Sequence, residues 1–200
     1  MDNEHELKVQ DAQVDYNRRY TYADYIKWDD DTRWELIDGV PYMMSAPTTT
    51  HQGVSGNLLL QLASFLKGKQ CKVFHAPVDV RLNADGADDT VVQPDIVVIC
   101  DRSKIEKASI VGAPDMVVEI LSPSTSGYDK VTKFNRYLRA GIKEYWIIDP
   151  EDKYLAVHAL HGESYIIQPY SATDMVPVLT LDGCEIDLKE VFFDIDGAVS

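Results

Sequence analysis

The chain has 200 residues, 45% of them hydrophobic and 26% charged, which suits a single water-soluble domain with a sizeable core. No run approaches the roughly 18 apolar residues of a membrane span, and the polar, acidic start MDNEHELKVQDAQ is unlike a secretory signal. A formal net charge of −14 excludes a strong electrostatic funnel for nucleic acid over the whole surface. The charge is uneven, however. Residues 1–31 carry nine acids and four bases, and residues 170–200 carry seven acids and one base. The segment between is close to neutral, and within it YDKVTKFNRYLRAGIK holds five Lys or Arg against one Asp, a candidate local basic face. Cys71, Cys100 and Cys184 are odd in number, far apart and without metal-type spacing, so the expectation is reduced, mostly buried thiols in a cytoplasmic protein.

Residues 1–19 lack apolar periodicity and read as a mobile arm preceding a single domain over 20–200. TYADYIKW predicts a short helix with Thr21 as its N-cap and Asp24 three residues on. WELIDGVPYMMS predicts a hairpin turning at Asp38-Gly39. From Thr50 to about Lys67, Val54, Leu58, Leu62, Phe65 and Leu66 recur at helical spacing. CKVFHAPVDVRL alternates like one strand, with His75 and Asp79 on the same face. VVQPDIVVIC is an apolar strand that Pro94 interrupts, and DMVVEILS is another. A helix over about 127–140 ends at Gly141, KEYWIIDP is a strand, and runs at 153–160 and 163–168 form a hairpin. The last thirty residues give short strands and a terminal helical turn. Together these elements predict an α/β (α+β) chain, a mixed central sheet flanked by helices with extra hairpins.

The run MVVEIL places Glu119 among apolar residues on both faces, where an unpaired carboxylate costs several kcal/mol, on the order of 5. A basic partner, a proton or a metal ion must compensate it. Asp95 opens the preceding strand, 24 residues earlier, and the following helix carries Lys130 and Lys133. Two hard carboxylates converging from neighbouring strands suit Mg²⁺, and a lysine beside them can steady a phosphate or an attacking water. A buried salt bridge from Glu119 to Lys133 is the structural alternative. On that helix Val131, Phe134, Leu138 and Ile142 form one apolar face, with Lys133 and Tyr137 on its flank and Arg136 and Arg139 toward solvent. His158 and His161 lack the framework of a zinc site, and Ser122, Ser124 and Thr125 read first as helix caps.

ELIDG, HQ, APVDVRL, VVQPDIVV, GAPDMVVEILSPST, DKVTK and AGIKEYWIIDP resemble, in order and spacing, the Uma-two family of restriction endonucleases, a branch of the PD-(D/E)xK nuclease superfamily. The resemblance covers about residues 20–168. It implies a restriction-endonuclease-like core, Mg²⁺ (or Mn²⁺) dependence and phosphodiester hydrolysis in DNA. It makes Asp95 and Glu119 catalytic metal ligands, with Glu35 a further ligand or support. The superfamily lysine would stand two residues after the second acid, where this chain has Leu121; Lys133 takes its place from the next helix. His51, Gln52 and Lys130 become cleft contacts. A homodimer is expected, since cutting a duplex needs one site per strand. A DNA-binding module of altered catalysis, or a hydrolase of a small nucleotide or phosphorylated substrate, remains the alternative.

Overall fold

A computed structural model describes residues 14–29, 32–84, 86–122 and 127–195, and for residues 127–130 the backbone alone. Residues 1–13 of the expected arm, Ser124, Thr125 and the side chain of Lys130 lie outside the described part. The first helix, α1 (Tyr22–Tyr25), is held by the Asp24 carboxylate, which accepts the Thr21 N–H at 3.1 Å. Strands β1 (Trp34–Ile37) and β2 (Val40–Met43) pair as a hairpin. Its turn residues Asp38 and Gly39 both have positive φ, 53° and 72°. Gly39 has a second reason to be glycine: a Cβ there would come within 2.9 Å of the Tyr20 carbonyl oxygen.

The long helix α2 (Thr49–Leu66) begins at Thr48, whose side chain accepts the His51 N–H. Its buried stripe is His51, Val54, Leu58, Leu62 and Leu66, so the first turn carries a histidine on the core face. After it come β3 (Lys72–His75), β4 (Asp79–Arg81), β5 (Val91–Val92), β6 (Ile96–Ile99), β7 (Ser109–Val111) and β8 (Met116–Ile120). Helix α3 (Gly127–Ala140) leads to β9 (Glu144–Asp149) and the hairpin β10 (Tyr154–His161) and β11 (Ser164–Ser171). The chain closes with β12 (Met175–Pro177), β13 (Glu185–Asp187) and α4 (Leu188–Val191).

The strands form a six-stranded sheet in the order β11-β10-β9-β8-β6-β3, a five-stranded sheet in the order β2-β1-β5-β4-β7, and a β12-β13 pair. One strand expected to be continuous is therefore broken, and a second is divided at the proline expected to interrupt it. Pro77, in a cis peptide with Ala76, separates β3 in the large sheet from β4 in the small one. His75 and Asp79 consequently lie on strands of different sheets: Asp79 accepts from Tyr25 and Gln93, while His75 bonds the Ala76 carbonyl. Gln93-Pro94 likewise separates β5 from β6, because proline cannot donate to a ladder.

Both faces of the large sheet are covered. Val54, Leu58 and Leu62 of α2 pack with Val98, Met116, Val118 and the C-terminal segment on one face. Tyr137 and Ile142 pack with Val97, Val117, Tyr145 and the small sheet on the other. Strands β8 and β9 are parallel neighbours joined through α3, which returns along the sheet and brings its side chains over β8. The buried face of α3 is rotated from expectation: Tyr137 is fully buried and Val131 is 62% exposed. Arg136 does not point to solvent but pairs with Asp38 across the hairpin turn. Residues at the close of the expected arm are also engaged, with Val14 packed against the Tyr20 cluster.

The expectation of three reduced thiols does not hold: Cys71 and Cys100 are joined by a disulfide. The register Lys72↔Ile99 in the β3–β6 pair sets these two residues opposite each other at the strand ends. Cys184 is a buried free thiol. No helix among the described residues is long and apolar enough to cross a membrane.

Glu144 is fully buried at the start of β9, where it accepts from Trp146 Nε1 (2.8 Å), the Leu179 and Thr180 N–H groups (3.1 and 2.8 Å) and the Thr180 hydroxyl (2.9 Å). It clamps the C-terminal segment to the sheet. Replacing it by alanine strands several buried donors and is expected to lower unfolding free energy by about 3 kcal/mol. Urea unfolding should show a lower midpoint at unchanged slope, with Glu144→Gln intermediate.

Candidate active site

Alternation along β1 and the residue before it divides their side chains between two surroundings. Leu36 turns to the Tyr20 cluster, while Arg33, Glu35 and Ile37 line a cavity of about 260 Å³. The first turn of α2 adds His51 and Gln52 to the same cavity. Asp95, just before β6, Glu119, near the end of β8, and Lys133 of α3 complete it. Six of the seven residues singled out from the sequence thus share one cavity, and the seventh is Lys130, whose side chain is not described. A larger cavity, of about 530 Å³, lies near Tyr25, Asp79 and Gln93 and contains none of them.

Each acid is held by named donors. Asp95 Oδ2 accepts the Ile120 N–H at 2.7 Å and meets His51 Nε2 at 3.2 Å. Glu119 Oε1 accepts from Lys133 Nζ at 3.1 Å and from the Tyr137 hydroxyl at 2.5 Å. Glu35 Oε1 lies 2.8 Å from the same Lys133 Nζ and accepts the Gln93 N–H at 2.7 Å. Lys133 and Tyr137 are four residues apart on α3, one turn, which is why both reach a single carboxylate oxygen. The partner that compensates Glu119 in the structure is therefore the lysine.

One ammonium serves both Glu35 and Glu119, while Asp95 is met by the His51 imidazole. Burial pushes the Glu119 carboxyl up; Lys133 opposes this, and the nearby Asp95 and Glu35 charges add to it, leaving it at about 7. Burial disfavours the Lys133 ammonium, but two carboxylates outweigh it and hold the group charged. His51 behaves alike: burial lowers its basicity, and Asp95 and Glu119 more than restore it. Burial, then the Glu119 charge, pushes the Tyr137 hydroxyl well above its ordinary range, so it stays protonated and donates.

This surplus of negative charge on hard oxygens fits a divalent cation. The anchoring bonds of Asp95 and Glu119 run through one oxygen of each, Oδ2 and Oε1. Among the described residues no three His, Cys, Asp or Glu side chains gather as a metal-binding group. An ion would then rest on two carboxylates and water, which Mg²⁺ accepts. Glu35 is taken up by Lys133 and Gln93. His158, one of the discounted zinc candidates, is buried among Phe134, Tyr145 and Tyr165, whereas His161 is exposed.

Three residues of the site carried no clear signal in the sequence. Tyr137 was visible only as a neighbour of Lys133 at helical spacing. Arg33 could have been found by its two-residue offset from Glu35 on an alternating strand. Gln93 reaches the site through its main chain, which side-chain chemistry does not announce.

Comparison with known proteins places this geometry in context. Residues 22–189 match the Uma2 family, described as "Putative restriction endonuclease". An uncharacterized protein of Synechocystis sp., slr1290, is 24% identical over 163 residues, covering 79% of this chain and 84% of that one. A second, sll1609, is 28% identical over 134 residues, or 64% and 74% of the two chains. The crystal structure of a "putative nuclease belonging to DUF820" from Anabaena variabilis superposes with a TM-score of 0.71 at 21% identity. It covers 86% of this chain and 97% of that one, and so shows the same fold. The family match spans most of the chain and includes every acid of the cavity, and the protein belongs to the Uma2 family.

Proposed function

We propose that the protein is a Mg²⁺-dependent endonuclease that hydrolyses phosphodiester bonds in DNA. The observation that carries this reading is the meeting of Asp95, Glu119 and Lys133 in one cavity with more buried negative charge than the lysine neutralises. Family membership and the shared fold support it. Asp95 and Glu119 would hold the ion, for which Mn²⁺ is an alternative. When bound, the ion supplies charge for the phosphate and acidifies a water. The chain's own groups do the rest. Lys133, fixed between Glu35 and Glu119, presents an ammonium to a phosphate oxygen or to the attacking water. His51 and the Ile120 N–H fix Asp95, and Tyr137 fixes Glu119, so neither carboxylate must reorganise during reaction. The net charge of −14 favours a second reading, a small phosphorylated or nucleotide substrate in the same cavity.

Supercoiled plasmid with Mg²⁺ should be nicked by the wild type. Asp95→Ala should lose both metal binding and cleavage. Lys133→Ala should lose cleavage by about 100-fold or more while still binding metal, because an ammonium is not a ligand. Full cleavage by both variants would exclude this site. Hydrolysis of nucleotides without any action on DNA would select the second reading.

Protonation of Glu119 competes with a cation for the same oxygens. With its carboxyl at about 7, the ionised form dominates above that pH and is depleted below it. Mg²⁺ affinity measured by calorimetry should be about tenfold weaker at pH 6 than at pH 8, and nearly flat above pH 8. A pH-independent affinity would show that Glu119 is not a ligand.

A homodimer would give one site per strand of a duplex. The hairpin β10–β11 is extra to the cavity, and its edge strand exposes Ile166 and Ile167, which supports it as the contact. Sedimentation at micromolar concentration should give about twice the 22.5 kDa chain mass. An Ile167→Lys variant should sediment as the monomer, and a monomeric wild type refutes the arrangement.

A further inference from the structure

Arg33 lines the cavity, yet the proposed reaction gives it no task. It stands two residues before Glu35, on the side of the chain that faces Glu119 and Lys133. Arg18, Arg81 and Arg136 each pair with an aspartate, but among the described residues Arg33 meets no carboxylate at ion-pair distance. Instead its Nε and Nη2 donate to the side-chain oxygen of Gln93 at 3.1 and 2.8 Å. That amide is itself locked, because its Nε2 donates to Asp79 Oδ1 at 2.9 Å and to the Tyr25 hydroxyl at 3.0 Å. The guanidinium is thus aimed by a neutral acceptor and has no ion-pair partner among the described residues. Two of its five N–H groups serve this alignment, and the rest, which make no hydrogen bond among the described residues, can meet an anion in a planar fork. The main-chain N–H of Gln93 also holds Glu35, the partner of Lys133. One residue therefore sets Arg33 and Lys133 in a fixed relation.

The geometry points to Arg33 as a phosphate-binding residue of this cavity, one that takes a non-bridging oxygen of a phosphate beside the Asp95–Glu119 pair. A phosphate entering here meets three carboxylates on a chain of net charge −14, so a cation not taken up in an ion pair among the described residues has a specific use. The phosphate belongs to a nucleic-acid backbone if the endonuclease reading holds, on which that part of the inference rests, or to a mononucleotide if it does not.

The test measures binding of a fluorescent duplex oligonucleotide against salt, and of a mononucleotide by calorimetry, with Mg²⁺ present. Wild type, Arg33→Gln and Arg33→Lys are compared, each first shown to keep its far-ultraviolet spectrum and Mg²⁺ affinity. Arg33→Gln should weaken duplex binding about tenfold and reduce the log–log salt slope by about 0.9, the share of one phosphate contact. Arg33→Lys should keep the slope and recover part of the affinity. In cleavage assays the loss should fall on KM rather than kcat. If the wild type ignores duplex but binds the mononucleotide, and Arg33→Gln weakens that, the endonuclease reading fails and the role of Arg33 stands. Unchanged affinity of Arg33→Gln for whichever probe the wild type binds overturns the proposal, as does a wild type that binds neither. Should Arg33→Gln fail to fold, Arg33→Met is read by the same criteria.

Discussion

The site depends on the ammonium of Lys133, held between Glu35 of the small sheet and Glu119 of the large one. Three distant parts of the chain meet at one nitrogen, and none of the three charges is tolerable there alone. Removing one partner from a buried ionic group leaves the others uncompensated, at a cost of about 3–5 kcal/mol. The ion pairs therefore tie the hairpin, β8 and α3 together. The same need for compensation that orders them leaves an excess of negative charge, and that excess is the chemical potential of the site.

Glu144, fully buried, and Glu119, part-buried, show how environment separates structural from reactive acids. Glu144 receives four hydrogen bonds from neutral donors of its own strand and the C-terminal segment. Glu119 receives one ammonium and one phenol, and burial, with two further acids adding to it, raises its carboxyl to about 7. A saturated carboxylate fastens the fold. An incompletely compensated one in a cavity is poised to take a proton or a cation.

Around this centre a layer of polar contacts does the aiming. Gln93 is fixed by Asp79 and Tyr25, and in turn positions Arg33 by its side chain and Glu35 by its main chain. His51 reaches Asp95 because the buried stripe of α2 extends into its first turn. Groups set before a substrate arrives need no reorganisation afterwards, which is how a fold turns packing into chemistry.

The sequence by itself determined the periodic and punctuated elements. The 54-58-62-66 stripe of α2, the Asp-Gly hairpin, and the helix stopped at Gly141 are local consequences of spacing and backbone freedom, and each stands where the pattern puts it. It also fixed that Glu119 needs a compensating charge, because the residues flanking it are apolar on both faces. Only the tertiary structure decided which charge that is. It moved the buried face of α3 from Val131 to Tyr137, split two apparent strands at Pro77 and Pro94 between separate sheets, and joined Cys71 to Cys100. All four outcomes turn on contacts between residues far apart in the chain. Local periodicity shows which side chains share a face, but the charge and shape of what that face meets belong to another segment.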